Sequence, residues 1–469
     1  MKHVSFSGRL VMIGCGSIGQ GVLPLILRHI GITPDQVTII TADERGLPVA
    51  RDLGIAFHIN PLTRDNYRAI LDPLIGRGDF ILNLSVDVSS VALIEFCRER
   101  GALYLDTCIE PWAGGYTDLS LSASQRSNYA LRETALALRG DGRQDAGTAL
   151  VTHGANPGLV SHLVKQALLN LAAESGLTVT TPQDRAGWAQ LMATLGIKAI
   201  HIAERDTQIA TIPKQRGEFV NTWSIDGFVG EGCQPAELGW GSHEKALPKD
   251  GARHDFGSGA AIYLNRPGAA TKVRSWTPQE GAYHGFLITH SESISIADYF
   301  SVVEDGVVRF RPTVHYAYHP CDDAVLSLHE LAGKNFVMQP RQRLMNKEIV
   351  AGVDELGVLL MGHPKGAYWY GSQLSITEAR ALCPYNTATS LQVTSTVLAG
   401  VIYAMNNPNL GIVEPDEIDF AEILRIARPY LGPVVGVYTD WTPLKDRGTL
   451  FDEALDSADP WQFSNIRVS

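Results

Sequence analysis

Residues 9–19 read Arg9-Leu-Val-Met-Ile-Gly-Cys-Gly-Ser-Ile-Gly19, an apolar run that passes directly into Gly14-x-Gly16-x-x-Gly19. Such a junction is the sequence form of a strand, a tight loop and a helix that together bind a dinucleotide. Gly14 permits the turn, Gly16 lets backbone approach a pyrophosphate, and Gly19 lets the helix pack closely on the sheet. Ser17 and Ile18 fall at the helix N-terminus, where unpaired N–H groups and a partial positive charge face the phosphates. About 0.4 such glycine patterns are expected by chance in a chain this rich in glycine, so the context decides. Leu10–Ile13 has the texture of a buried strand, and Ile18, Val22, Leu25 and Ile26 follow at helical spacing. Pro24 inside that helix predicts a kink.

Working outward, strands are expected at 37–41, 55–59, 79–85, 102–106 and 148–152, with helices at 65–75, 90–100 and 127–138 between them. Alternation of this kind predicts a doubly wound parallel sheet, a Rossmann-type domain over residues 1–152. From 153 to 375 the texture changes to alternating strands such as 197–204, 218–225, 285–297, 306–311 and 355–361. Gly/Pro-rich turns such as 251–267 separate them. A second α+β domain with a mostly antiparallel sheet is expected there. Residues 376–430 read as a helical return onto the first domain, and 431–469 as a C-terminal surface arm.

The chain has 469 residues, 39 basic against 50 acidic side chains, and a formal charge of −11. No basic stripe is present to neutralise phosphates, so a nucleic-acid partner is not expected. No uncharged apolar run long enough for a membrane span is read, and the N-terminus lacks a signal-peptide core. The 6 cysteines are scattered without a Cys-x-x-Cys pair, which points to a reduced, cytoplasmic setting and to no zinc site. His315 and His319 stand four apart without the glutamate of a zincin helix, so no metal is assigned to them. Cys108 reads as a packed cysteine rather than a nucleophile.

The acid that bonds an adenosine ribose belongs at the end of the second strand. Here Asp43 comes slightly late, with Arg45 beside it; the reading is NAD, with NADP open. Loops beyond strand ends line the site in this architecture, which brings in Glu110. In the second domain, Phe286–Ile296 alternates as a strand and would set His290 and Glu292 on an apolar face. Buried groups of that kind are costly unless paired or used. Glu204 ends an inward row behind Ile200 and Ile202. Trp223 shares a strand face with Phe219 and Ile225, where core packing is the ordinary explanation. Glu231 and Glu237 fall in a Gly/Pro-rich stretch where solvated acids are the default. Should these carboxylates converge with Trp223, the pocket would suit a small polyamine: a carboxylate 4 Å from an ammonium contributes roughly 4 kcal/mol at an effective dielectric near 20. An indole face adds about 2 kcal/mol.

Several stretches together resemble the bacterial homospermidine synthases of the saccharopine dehydrogenase-like superfamily. They are Met12–Gly19, Asn83-Leu-Ser-Val-Asp87-Val-Ser-Ser, Glu110-Pro-Trp, Asn128-Tyr-Ala-Leu-Arg-Glu, His153-Gly-Ala-Asn-Pro-Gly and Asn386-Thr-Ala-Thr-Ser-Leu-Gln. The resemblance implies NAD-dependent joining of two putrescines with loss of ammonia and no net redox change, in a homodimer, with spermidine as a further possible substrate. It implies a diamine site of Asn156, Glu204, Trp223, Glu231, His290 and Glu292. It also implies a cofactor end that includes Asn83, Ser85, Asp87, Thr107, Glu110 and Asn156. Two other readings stay open: a saccharopine- or carboxynorspermidine-type dehydrogenase with net redox, and a non-catalytic NAD-sensing protein on the same fold.

Overall fold

The apolar run Leu10–Ile13 is wholly buried inside a seven-stranded sheet in which every pairing is parallel. The structure is a computed structural model and describes residues 1–140 and 147–468. Across the sheet the strands run Ile412–Val413, Ala149–Leu150, Leu103–Asp106, Phe80–Asn83, Leu10–Ile13, Val37–Thr41 and Ala56–Ile59. The chain moves outward one way from Leu10–Ile13 and then returns to build the other side. The topological switch therefore lies between Leu10–Ile13 and Phe80–Asn83, where a ligand crevice is expected. Gly14 turns there at φ +85°, and a Cβ on it would come within 2.7 Å of the Leu84 carbonyl oxygen. Only glycine fits that turn.

The second half forms a ten-stranded, mostly antiparallel sheet. Its exception is the parallel pairing of Ala199–Asp206 with Thr313–His319, which sets Glu204 beside Tyr318. The expected arm after residue 430 is instead partly sheet: Val434–Thr439 pairs with Ala367–Ser375 at the edge. Trp441, Trp461, Phe463 and Ile466 follow it into the interior. Large apolar side chains at these positions anchor the tail. Residues 251–267 likewise hold two strands, Gly251–Arg253 and Ala261–Pro267, rather than only turns.

Ala388–Asn406 is long and apolar enough to cross a membrane by length and composition, contrary to the sequence reading, but 83% of its apolar window is buried in the protein. It packs on Ser17–His29, on Phe420–Ala427 and on strands of both sheets. Asn386, just before it, donates to the Gly21 carbonyl at 3.1 Å, and a Cβ on Gly21 would lie 2.3 Å from the Asn386 Oδ1. The return segment thus presses on the glycine-loop helix itself. That helix runs Ser17–His29 without interruption through Pro24.

Two acid-centred contacts join the halves. Arg132, buried on Asn128–Ala137, pairs with Glu414 at 2.6 Å and with Asp298 at 2.8 Å. Glu237, expected in a solvated loop, is instead fully buried on the strand Pro235–Gly239. It accepts from the backbone N–H groups of Asn128 and Tyr129 at 2.8 and 3.2 Å, and from the Thr289 hydroxyl at 3.0 Å. A carboxylate at a helix N-terminus meets both the free N–H groups and the positive end of the dipole. Glu237→Leu should therefore strand buried donors and cost about 2–4 kcal/mol, read as a lowered midpoint in urea unfolding. A midpoint unchanged from the parent would contradict this account of the junction.

Candidate active site

Two contiguous cavities open at the switch point. The larger, about 650 Å³, is lined by Gly14, Gly16, Ser17, Ile18, Asp43, Ser85 and Asp87 among others. The narrower, about 110 Å³, lies deeper and shares Ile18, Leu84, Ser85, Val86 and Ser224 with the first.

The larger cavity fits a dinucleotide on the chain's own geometry. Gly16 is the N-cap of Ser17–His29 with no side-chain cap, and a Cβ on it would meet nothing within 4 Å, so the space beside it is open. The Ser17 hydroxyl is buried without a partner in the protein. Free helix N–H groups with an orphaned hydroxyl form an anion cradle. Asp43 faces the same cavity and holds Arg45, whose Nε donates to it at 2.8 Å; that bond, against some burial, draws its carboxyl below the usual range. Gly19 and Asn83 line neither cavity. Gly19 sits where a Cβ would strike the Gly14 carbonyl oxygen at 2.9 Å, so its part is packing. Asn83 accepts from the Ser85 N–H and hydroxyl at 3.3 and 2.6 Å, and thereby sets Ser85.

The narrower cavity gathers Glu110, Asn156, Glu204, Trp223, Glu231, His290 and Thr107 in one place. They reach it from elements the sequence pattern only partly foresaw. The expected strand through residue 296 ends at Phe286; His290 is the N-cap of a buried helix, Ser291–Tyr299, with Glu292 in its first turn. Of the serines that mimicked strand alternation, Ser295 donates to Asp416 at 2.6 Å, while the Ser293 hydroxyl is buried without a partner. The expected strand 218–225 ends at Asn221, so Trp223 sits in a turn before the Ser224 cap of Ile225–Cys233. That helix, not a loop, carries Glu231.

His290 lies between two carboxylates, with Nε2 3.0 Å from Glu231 and Nδ1 3.2 Å from Glu292. Burial alone would lower its pKa, but the charges of Glu292 and Glu231 outweigh that and raise it well above the ordinary value. Glu292 is fully buried behind His290 and does not line the cavity. Glu204 accepts from the Tyr316 hydroxyl at 2.6 Å and from the Asn156 amide at 3.1 Å. Burial nevertheless pushes its carboxyl up to about 8. Glu110 is likewise raised to about 8, by burial and then by the charge of Glu231. Burial and the neighbouring Glu110 also push the Cys108 thiol well up, which disfavours a thiolate.

Sequence reasoning missed the tyrosines. Tyr316 lines the cavity, and its ring lies 4.4 Å from that of His290 and stacks 5.1 Å from Tyr318. The Tyr318 hydroxyl in turn accepts the Trp223 indole N–H at 3.0 Å. The signal was the alternation Val314, Tyr316, Tyr318 in a segment read only for its histidines; that segment is a strand, Thr313–His319. Three carboxylates, one imidazole and an indole thus face the narrow cavity, and neither arginine nor lysine lines it. Such a wall selects cations and leaves a carboxylate-bearing ligand without a partner.

Comparison with known proteins agrees with this chemistry. Residues 10–151 match the saccharopine dehydrogenase NADP binding domain, and residues 154–438 the saccharopine dehydrogenase C-terminal domain. The homospermidine synthase of Blastochloris viridis is 55% identical over 98% of this chain and 97% of its own. That of Mesorhizobium japonicum is 53% identical over 98% and 96%. The crystal structure of the Legionella pneumophila homospermidine synthase in complex with NAD superposes with a TM-score of 0.93 at 50% identity, covering 99% of this chain and 98% of that one. With identity of this order sustained along nearly the whole length, the chain belongs to the homospermidine synthase family, within the saccharopine dehydrogenase-like proteins.

Proposed function

We propose that this chain is an NAD-dependent aminobutyl transferase that joins two putrescines into homospermidine with release of ammonia. The observation that carries the reading is the narrow cavity: Glu110, Glu204 and Glu231 against the single cation His290, beside Trp223 and next to the dinucleotide crevice. When bound, NAD would supply a reversible hydride acceptor for the amine-bearing carbon, oxidised to the imine level and later reduced again, so no net redox change would result. Gly14, Gly16, Ser17 and Ile18 would hold its pyrophosphate and Asp43 its adenosine ribose, with Ser85, Asp87 and Thr107 towards the nicotinamide.

The chain's own groups handle protons and charge. An ammonium has no lone pair to share with the adjacent carbon, so a proton must leave before that carbon reacts. Glu204 and Glu110, raised to about 8, are matched to take it near neutral pH. Asn156 and Tyr316 hold the Glu204 carboxylate in one orientation. His290, kept charged by Glu231 and Glu292, is placed to give a proton to the departing amine nitrogen. Trp223 offers a ring face to a cationic intermediate, and the Tyr318 hydroxyl fixes the edge of that ring. We further place the protein in the cytoplasm as a homodimer, with spermidine as a possible alternative substrate.

Purified protein with putrescine and NAD⁺ should yield homospermidine and ammonia while nicotinamide absorbance stays flat. A steady absorbance change would support a dehydrogenase with net redox, and tight NAD binding without turnover a sensing protein. Trp223→Ala should lower kcat/KM by about thirtyfold, the equivalent of roughly 2 kcal/mol, with an unchanged circular dichroism spectrum. Activity equal to the parent would remove the cation-holding role.

The acids also set a pH dependence. Glu204 and Glu110 are raised from 4.5 to about 8 in the folded chain, so between those values the folded state holds protons that the unfolded state has released. The stability these acids contribute to the diamine-free protein falls as pH rises from about 4.5 to about 8, and His290, raised from 6.5, adds a loss of the same sign above that value; buried histidines such as His153 and His315, lowered by burial, contribute a rise below 6.5 that putrescine does not touch. Saturating putrescine, which neutralises the acids, should shrink this fall in a series of thermal midpoints. A pH dependence that saturating putrescine leaves unchanged would contradict the assignment.

A further inference from the structure

On the outer face of the second domain, the hairpin Lys272–Thr277 and Gly281–Phe286 and the tail after Val434–Thr439 enclose a separate cavity of about 180 Å³. Its wall carries the basic side chains of Arg274, His284, Lys445 and Arg447, and no carboxylate lines it. Arg274 stands directly opposite His284 across the hairpin, so a guanidinium and an imidazole face the cavity side by side. The side chains of Arg274 and Arg447 are only 17% and 11% exposed, which deprives both of water.

Counter-charge is incomplete. Glu453 pairs with Arg447 but lies 3.9 Å from Arg274, which donates to the Arg467 carbonyl, and the largely exposed Asp440 pairs with Lys445 at 2.7 Å; neither acid lines the cavity. Arg447 donates to the Pro443 and Asn465 carbonyls, yet its Nε is buried with no partner. Burial and the charge of Arg447 draw the Arg274 guanidinium below its ordinary pKa, and burial followed by Arg274 does the same to His284. In a chain of net charge −11 this concentration of cations is not a general electrostatic background. The Thr442 and Ser275 hydroxyls add hydrogen-bonding capacity to the wall.

We infer that this cavity binds a small inorganic oxyanion of the phosphate class, held by Arg274, His284, Lys445 and Arg447. Such an ion would satisfy the orphaned Arg447 N–H, neutralise the Arg274 guanidinium and clamp the tail onto the hairpin. The volume admits a phosphate or a pyrophosphate but not a whole nucleotide.

The test is calorimetric titration of inorganic phosphate and of pyrophosphate into the NAD-saturated protein, with sodium chloride at matched ionic strength as the control. NAD occupies the glycine loop and keeps the probe from it. The expected result is saturable binding at one site per chain, weakened at least tenfold by Arg447→Gln. The double variant Lys445→Gln/His284→Asn changes exposed side chains whose loss leaves the fold intact, and should weaken binding several-fold with putrescine turnover unchanged. Absence of saturable binding beyond the chloride control would overturn the inference. So would equal affinity in the parent and the double variant.

Discussion

Burial of acidic groups without enough cations to pair them is the constraint on which this structure turns. Glu204, Glu110 and Glu231 face one narrow space, while Asp206 and Asp354 lie buried in register on adjoining strands. Burial, then the charges of Glu204 and Asp206, raises the Asp354 carboxyl well above its usual range. Carboxylates out of water are costly unless they are neutralised, paired or bonded. The fold spends hydrogen bonds to restrain them: Tyr316 and Asn156 on Glu204, Thr222 and Gln208 on Asp206, and His290 between Glu231 and Glu292. What remains uncompensated is capacity for a positively charged ligand.

Holding such a cluster requires rigid support from both halves of the chain. The helix Ser291–Tyr299 supplies it, because its ends are fixed from different directions. Glu237 grips Thr289 just ahead of His290 while capping a helix of the nucleotide domain. At the far end Asp298 meets Arg132 and Arg185. The Asn128–Glu133 stretch, which touches neither cavity, is thus a structural link between domains. A similar part falls to Asn386, which leans on Gly21 in the helix that begins at the glycine loop. Displacing either link would shift the acids relative to the dinucleotide crevice.

The nucleotide half was legible because its signals are local. Gly14 needs its left-handed turn, and the Leu10–Ile13 run is buried on both faces. The second half was harder. Ser291–Tyr299 is buried almost all round, so it shows no amphipathic stripe, and its serines at odd positions imitate a strand. His290 and Glu292 were selected for the right reason, their cost in an apolar setting, from the wrong element. Glu237 was unreadable in principle: a lone acid in a Gly/Pro-rich stretch gives no sign that a helix N-terminus distant in sequence will meet it. Tyr316 and Tyr318 were readable, since their alternation continues Val314 onto one strand face.

The same cavity wall decides between substrates that the fold alone would admit. Dehydrogenases acting on amino acids must recognise a carboxylate, which needs an arginine or lysine fork or a set of free N–H donors near the reacting carbon. Here the lining offers Glu110, Glu204 and Glu231 at those positions, and Arg205, the nearest guanidinium in sequence, turns away to Glu280 and Asp322. A carboxylate drawn into this space would face repulsion and lose its water without return. A diamine meets the opposite balance at each end, and its methylene chain matches the apolar edges supplied by Ile18, Val393 and Trp223. Specificity on this scaffold therefore resides as much in the anions it rejects as in the cations it holds.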